Sequence, residues 1–403
     1  MEYVPVVDLS DFYAGTAEKK RSFVKEVGDA YHEVGFVTVK NHGISDKMIE
    51  ELYREVKAFF SLPDEIKFKY EKADLAGQRG YTSFGREHAK GSKVGDMKEF
   101  FQFGQMVTDD DPIRKEYPDN VWVSELPGFN EIAINAYRSF EISGAHMLRA
   151  IALYLDLPEN YFEKKTHNGN SILRAIHYPP IVGDPKSALR AEQHEDINLI
   201  TLLVGASAEG LEIFTRKNEW VPVTALPGQI VVNVGDMLQR LTNDRLKSTT
   251  HRVVNPPKEL YGTSRYSIPF FLHPRGEMRL DCLGSCISLE NPRQYDPITA
   301  GEYLDERLIE IGLKKSEVLE KKYSLSQQGI SEFLKDVKGA GLIDHLSEQY
   351  NIEFYGKKQT LYQEGKRPKF LFYLMKGKVK GFKTHEDGKE YITDIFSNGD
   401  FIG

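Results

Sequence analysis

The chain has 403 residues and a formal net charge of −7, with 28% charged and 40% hydrophobic residues. This balance describes a folded protein long enough for more than one domain. It offers no basic excess for nucleic acid, no apolar run long enough to span a bilayer, and no basic, apolar leader at Met1-Glu2-Tyr3. The expected compartment is the cytosol, where Cys282 and Cys286, four apart and without paired histidines, are expected to be free thiols.

In chain order, Phe23, Val27, Ala30, Tyr31 and Val34 recur at helical spacing, as do Ile49, Leu52, Val56 and Phe59, and both sets read as core-facing stripes. Past His194, the run Ile197 to Leu203 predicts a β-strand, with His194 at its start. Glu212-Ile213-Phe214 and Trp220 to Val223 flank the polar Arg216 to Glu219, a hairpin pattern; Gln229 to Val234 and Tyr266 to Phe271 give two further strands. Such short strands predict an antiparallel barrel or jelly roll. Leu304, Leu308 and Ile311 then predict a closing helix. Character changes near Lys314-Lys315-Ser316, which sets a boundary between 315 and 316; the expected regions are 1–120 and 121–315 before it and 316–403 after it. The last has weak helical periodicity through Phe333 and Leu342, then short strands at 359–365, 370–380, 388–392 and 398–403 punctuated by glycine.

The chemistry concentrates between Gln193 and Ser267. On a strand, His194 and Asp196 project to one side while Glu195 points away, so the two can share a metal with the distal His251. Two imidazoles and a carboxylate on one face leave positions open, a ligand set that favours non-heme Fe(II) and oxygen chemistry over structural zinc. Alone, a His-x-Asp pair occurs often by chance, and an isolated His251 reads as a hydrogen-bonded structural histidine. Their order is informative because Arg265 and Ser267 follow, again on one strand face: a guanidinium fork and a hydroxyl suited to a small dicarboxylate.

On these motifs residues 3 to 315 resemble the isopenicillin N synthase-like family of Fe(II) and 2-oxoglutarate-dependent dioxygenases. The resemblance extends to Gly235-Asp236-Met237-Leu238 and Leu241-Thr242-Asn243 ahead of His251, and to Ile176-His177-Tyr178-Pro179 in place of Asn-Tyr-Tyr-Pro. It implies a mainly β fold with flanking helices around a double-stranded β-helix (jelly roll) core. It implies iron ligation by His194, Asp196 and His251, co-substrate binding by Arg265, Ser267 and Tyr178, and O2 as oxidant for a small-molecule substrate. Ile176 departs from the family's Asn, and Arg174 on the same strand face is a candidate to supply a polar contact instead. Val4 to Leu9 and Gly35 to Ile44 resemble the family's first strands, which makes His42 structural; Gly80 to Phe84, Glu99 to Phe103 and Phe271 become candidate pocket walls. Residues 325 to 403 resemble the first half of a Crp/Fnr-type cyclic nucleotide-binding domain, expected here to be a partial C-terminal β-roll that binds no nucleotide. Two alternatives stay open: an oxidase using the same triad without 2-oxoglutarate, and a cyclic-nucleotide-sensing protein.

Overall fold

The computed structural model describes residues 4–88, 95–205, 208–224, 226–311, 313–314, 361, 372–374, 378–384, 390–397 and 400–402. The chain divides into two compact units, Met1–Lys314 and Lys315–Gly403. Unit 1 contains strands β1 (Val6–Asp8), β2 (Phe36–Lys40), β3 (Gly80–Thr82), β4 (Glu99–Gly104), β5 (Ile172–Tyr178), β6 (Ala191–His194), β7 (Ile200–Val204), β8 (Leu211–Phe214), β9 (Trp220–Pro222), β10 (Gln229–Val234), β11 (His251–Val253) and β12 (Arg265–Leu272). They form an eight-stranded sheet, β1-β2-β10-β7-β12-β5-β4-β3, and a four-stranded sheet, β6-β11-β8-β9. Pairing is antiparallel except between β1 and β2. This is the jelly roll that the strand pattern predicts.

Three helices cover one face of the large sheet: α1 (Ala17–Glu33), α2 (Asp46–Phe60) and α3 (Pro127–Tyr154). Thr16 caps α1 by accepting from Lys19 N, and Ser45 caps α2 by accepting from Met48 N, so each helix begins where a side chain satisfies a free backbone donor. The stripes expected on α1 and α2 are buried at Phe23, Val27, Ala30, Tyr31, Leu52, Val56 and Phe59. Helix α3, absent from the sequence expectations, lies against the sheet: Phe140 stacks on Phe270 of β12 at 5.4 Å, and a Cβ at Gly144 would come within 2.3 Å of Leu272 Cδ1. The closing helix α4 (Ala300–Glu310) starts at a reciprocal capping box between Thr299 and Glu302, and buries Tyr303 and Leu308.

The large sheet is buried on both faces, and alternation divides each strand between them. Leu173, Ala175, Ile200, Leu202, Ile268 and Phe270 join the helical core. On the opposite face Phe100, Ile176 and Tyr178 meet Ala191 and Val253 of the small sheet, and Phe36 and Val231 meet Leu211 and Ile213. Phe101 and Phe103 belong to the helical core, packed on Phe129 at 5.3 and 5.1 Å, and do not line the barrel. Of Glu99 to Phe103 only the alternate residues Phe100 and Gln102 face the barrel interior, so the expectation of pocket walls is overturned for Phe101 and Phe103. His42 is buried, accepts from Ile44 N and receives Ser143 Oγ at its carbonyl, a structural role. Cys282 and Cys286 are both free and buried.

In unit 2, β13 (Phe372–Tyr373) pairs with β16 (Phe401–Ile402), and β14 (Val379–Thr384) with β15 (Glu390–Phe396), all antiparallel. The helix expected through Phe333 and Leu342 lies outside the described residues, as does the strand at 359–365 apart from Leu361.

Phe59 stacks on Phe129 at 5.1 Å and meets Phe101 edge-on at 4.9 Å with no exposed surface. Phe59→Ala is therefore expected to destabilise unit 1 by about 3–5 kcal/mol, read as a lower urea midpoint of the transition monitored at its aromatic residues.

Candidate active site

The chain crosses from the small sheet to the large one between His194 and Ile200. His194 ends β6, rather than beginning a strand as expected, and β7 starts only at Ile200. Asp196 sits in the crossing, where its carbonyl accepts from Asp236 N at 2.7 Å; Leu199 N donates to Leu272 O at 3.1 Å. Two sheets cannot share one continuous strand here, so the alternation argument fails locally although the side chains still converge. His251, on β11, lies directly across the ladder from His194. One donor atom from each of His194, Asp196 and His251 falls within 4.8 Å of the others.

Each of these side chains is held from behind. His194 Nδ1 is 2.7 Å from Glu192 O and His251 Nδ1 is 3.0 Å from Thr249 O, so each Nδ1 carries the proton and each Nε2 presents a lone pair. Asp196 Oδ2 accepts from Thr201 Oγ1 at 2.6 Å and from Asn233 Nδ2 at 2.8 Å, leaving Oδ1 to face His251 Nε2 at 3.7 Å. Burial holds the His194 imidazole below its ordinary pKa, and a charge on the facing ring would lower it further. Burial works to raise the Asp196 carboxyl, but His251, His194 and the bonds from Asn233 and Thr201 outweigh it and hold it below its ordinary value. Neutral imidazoles beside an ionised carboxylate are the states that coordinate a divalent metal.

Arg265 and Ser267 share the interior face of β12, and Arg265 lies across the ladder from Tyr178. The guanidinium stands 5.0 Å from the Tyr178 ring centre, donates from Nε to Ala208 O at 3.1 Å, and is 1% exposed. Its Nη1 is buried with no hydrogen-bond partner among the described residues. A cavity of about 160 Å³ reaches it between Leu203, Leu211, Val223 and Val231. A buried cationic donor without an acceptor is costly in the free protein, and its chemistry is that of a carboxylate site.

Thr201 and Asn233 escaped the sequence reading, although each is a polar residue inside an otherwise apolar strand, a detectable signal for a buried hydrogen-bonding role. Around Arg174 lies a second group that no motif announced: Glu87, Asp96 and Lys98, all buried. Burial works to raise the Glu87 carboxyl, but Arg174 and Lys98 overcome it and bring it down to about 2.

With this geometry, the comparisons with known proteins agree. Residues 4–125 match the family model for the N-terminal domain of non-haem dioxygenases in morphine synthesis, 169–274 the 2OG-Fe(II) oxygenase superfamily, and 352–403 the cyclic nucleotide-binding domain. The chain belongs to the 2OG-Fe(II) oxygenase superfamily and is a 2-oxoglutarate-dependent dioxygenase that uses iron and O2. It is 34% identical to a proline hydroxylase from Petromyces alliaceus over 75% of this chain and 98% of that one. A crystal structure of a 2OG-Fe(II) oxygenase family protein from Caulobacter crescentus is 41% identical, with a TM-score of 0.70 over 77% of this chain and all of that one. A full-length Neurospora crassa protein, solved in complex with alpha-KG and thymine, is 30% identical, with a TM-score of 0.68 over 76% of this chain and 96% of that one.

Glu87 has a depressed native pKa, so its stabilising contribution is present above the unfolded value near 4.5 and is lost as pH falls toward about 2. Glu87→Gln is expected to lower the melting temperature at neutral pH and to flatten its fall between those two pH values, as followed by circular dichroism.

Proposed function

We propose that His194, Asp196 and His251 hold the Fe(II), and that Arg265, Ser267 and Tyr178 hold the remote carboxylate of 2-oxoglutarate. The observation that carries this assignment is the convergence of three metal-type donor atoms within 4.8 Å in a barrel that also contains an unpaired buried guanidinium. When bound, iron and 2-oxoglutarate supply, with O2, the oxidising chemistry of the superfamily, with succinate and CO2 released. The protein's own groups do the positioning. Thr201 and Asn233 fix which Asp196 oxygen faces the metal; the carbonyls of Glu192 and Thr249 fix the imidazole tautomers; Arg265 offers Nη1 to a carboxylate while the Tyr178 ring holds its guanidinium plane. Asp196, His251 and Arg265 are buried, so these dipoles act in a lower dielectric than water. The organic substrate is a small molecule. Among the described residues no helix is long and apolar enough to cross a membrane.

Alanine at His194, Asp196 or His251 is expected to abolish stoichiometric Fe(II) binding, because two remaining protein ligands do not fix a facial site. Near-native iron content in all three variants, by metal analysis after gel filtration, would reject the assignment. Arg265→Gln is expected to weaken 2-oxoglutarate binding by on the order of 2–5 kcal/mol, read as a raised half-saturation of succinate release; an unchanged value would reject Arg265 as the group that holds the co-substrate. Iron binding and 2-oxoglutarate turnover belong to unit 1, so a chain ending at Lys314 is expected to keep both.

A further inference from the structure

Arg174 projects from the same face of β5 as Ile176 and Tyr178, and its guanidinium lies over the rings of Phe100 at 4.2 Å and Phe271 at 5.2 Å. Nε donates to Gln102 Oε1 at 2.7 Å, and Nη1 donates to the two Glu87 oxygens at 3.1 and 3.2 Å. Nη2 has no hydrogen-bond acceptor among the described residues. Glu87 also pairs with Lys98 Nζ at 2.8 Å, and Lys98 pairs with Asp96 at 2.6 Å. Two cations and two anions therefore balance. Arg174 keeps 15% of its side chain accessible while the other three are each below 10%, so Arg174 is the member that reaches open space.

This network lies beside the proposed iron site. Phe271 pairs with Thr201, whose hydroxyl binds Asp196, and the charges of Glu87 and Lys98 are felt at His194. The barrel thus holds two arginines in opposite electrostatic states. Arg265 has no acidic partner among the described residues, which suits a ligand that brings its own negative charge. Arg174 is already neutralised by Glu87, and an incoming carboxylate would be a fifth, uncompensated charge desolvated beside two fixed anions. A carbonyl oxygen, in contrast, satisfies Nη2 without altering the balance, and a planar group can pack along Phe100 and Phe271.

We infer that Arg174 is a specificity-determining residue that selects an uncharged substrate by its carbonyl or amide oxygen, and that the Glu87–Lys98–Asp96 network disfavours carboxylates at this position. The inference rests on the dioxygenase site assignment above.

The test uses the full chain loaded with iron and 2-oxoglutarate, with benzamide and benzoate as matched planar probes whose binding is followed by ligand-observed NMR competition. Wild type is expected to bind benzamide at least about tenfold more tightly than benzoate. Glu87→Gln unmasks one positive charge and is expected to shift that ratio toward benzoate by a similar factor. Should Glu87→Gln fail to fold, Arg174→Gln carries the test: it keeps a donor but removes the charge, so benzamide binding persists and benzoate binding weakens further. A benzoate preference in wild type, no benzamide binding at millimolar concentration, or a ratio unmoved by either variant overturns the inference. Separate titration of 2-oxoglutarate keeps the parent reading distinguishable, since its failure to bind wild type contradicts the Arg265 assignment and leaves the probe ratio to be judged alone.

Discussion

The structure depends on a large sheet whose two faces are both buried in different surroundings. Side chains alternate along every strand, so a slip of one residue would exchange the helical core with the interior of the barrel. Along β12, Arg265, Ser267 and Phe271 face the interior while Ile268, Phe270 and Leu272 join the helices. The stack of Phe140 on Phe270 and the contact of α3 with Leu272 at Gly144 therefore set the register of residues that never touch them. A polar latch acts on the same outer face. His177 on β5 stacks on Tyr266 of β12 at 4.7 Å, and its ring nitrogens reach Glu99 Oε1 at 2.7 Å and Ser264 Oγ at 3.0 Å. It ties β4, β5 and β12 together one residue away from Tyr178 and Arg265.

The histidines and the carboxylate answer to different sheets. His194 and His251 face each other across one ladder of the small sheet, whereas Asp196 is held by Thr201 and Asn233 of the large one. The geometry of the donor set is thus the geometry of the closure between the sheets, shared with the apolar contact of Phe36 and Val231 on Leu211 and Ile213. Phe36 also meets the His251 ring edge-on at 5.6 Å, which fills the space beside that imidazole without offering a competing polar atom.

Much of this is legible in the sequence because period and chemistry coincide. Buried residues at helical spacing locate α1 and α2, the Arg216 to Glu219 turn locates the β8–β9 hairpin, and the three donor residues with Arg265 and Ser267 name the chemistry. Phase and long-range contact are not legible in the same way. Alternation in Glu99 to Phe103 divides the residues into two sets but does not say which set meets helices, since phenylalanine suits either face. The apolar run after His194 is continuous through the sheet crossing, and so it places that histidine at the wrong end of a strand. Helix α3 carries apolar residues around much of its circumference and lacks the single stripe that marks α1 and α2. Glu87, Asp96 and Lys98 lie in or beside loops with no period, and only folding places them against Arg174.

Buried charge has a stability cost, and the barrel distributes it unevenly. Around Arg174 the charges cancel within the protein, so that network is complete in the free fold. Arg265 is left with an unpaired buried N–H, and nearby Arg190 also has a buried Nε without a partner among the described residues, its pKa lowered by burial and then by Arg265. An unpaired buried donor leaves folding free energy unrealised until a ligand supplies the acceptor. Ligand binding to the native state alone stabilises it by ~2.7 kcal/mol at a hundred times Kd. A dicarboxylate at Arg265 would therefore act as a component of the fold as well as of the reaction, and the strand that carries Arg265 would be ordered most firmly when the co-substrate is in place.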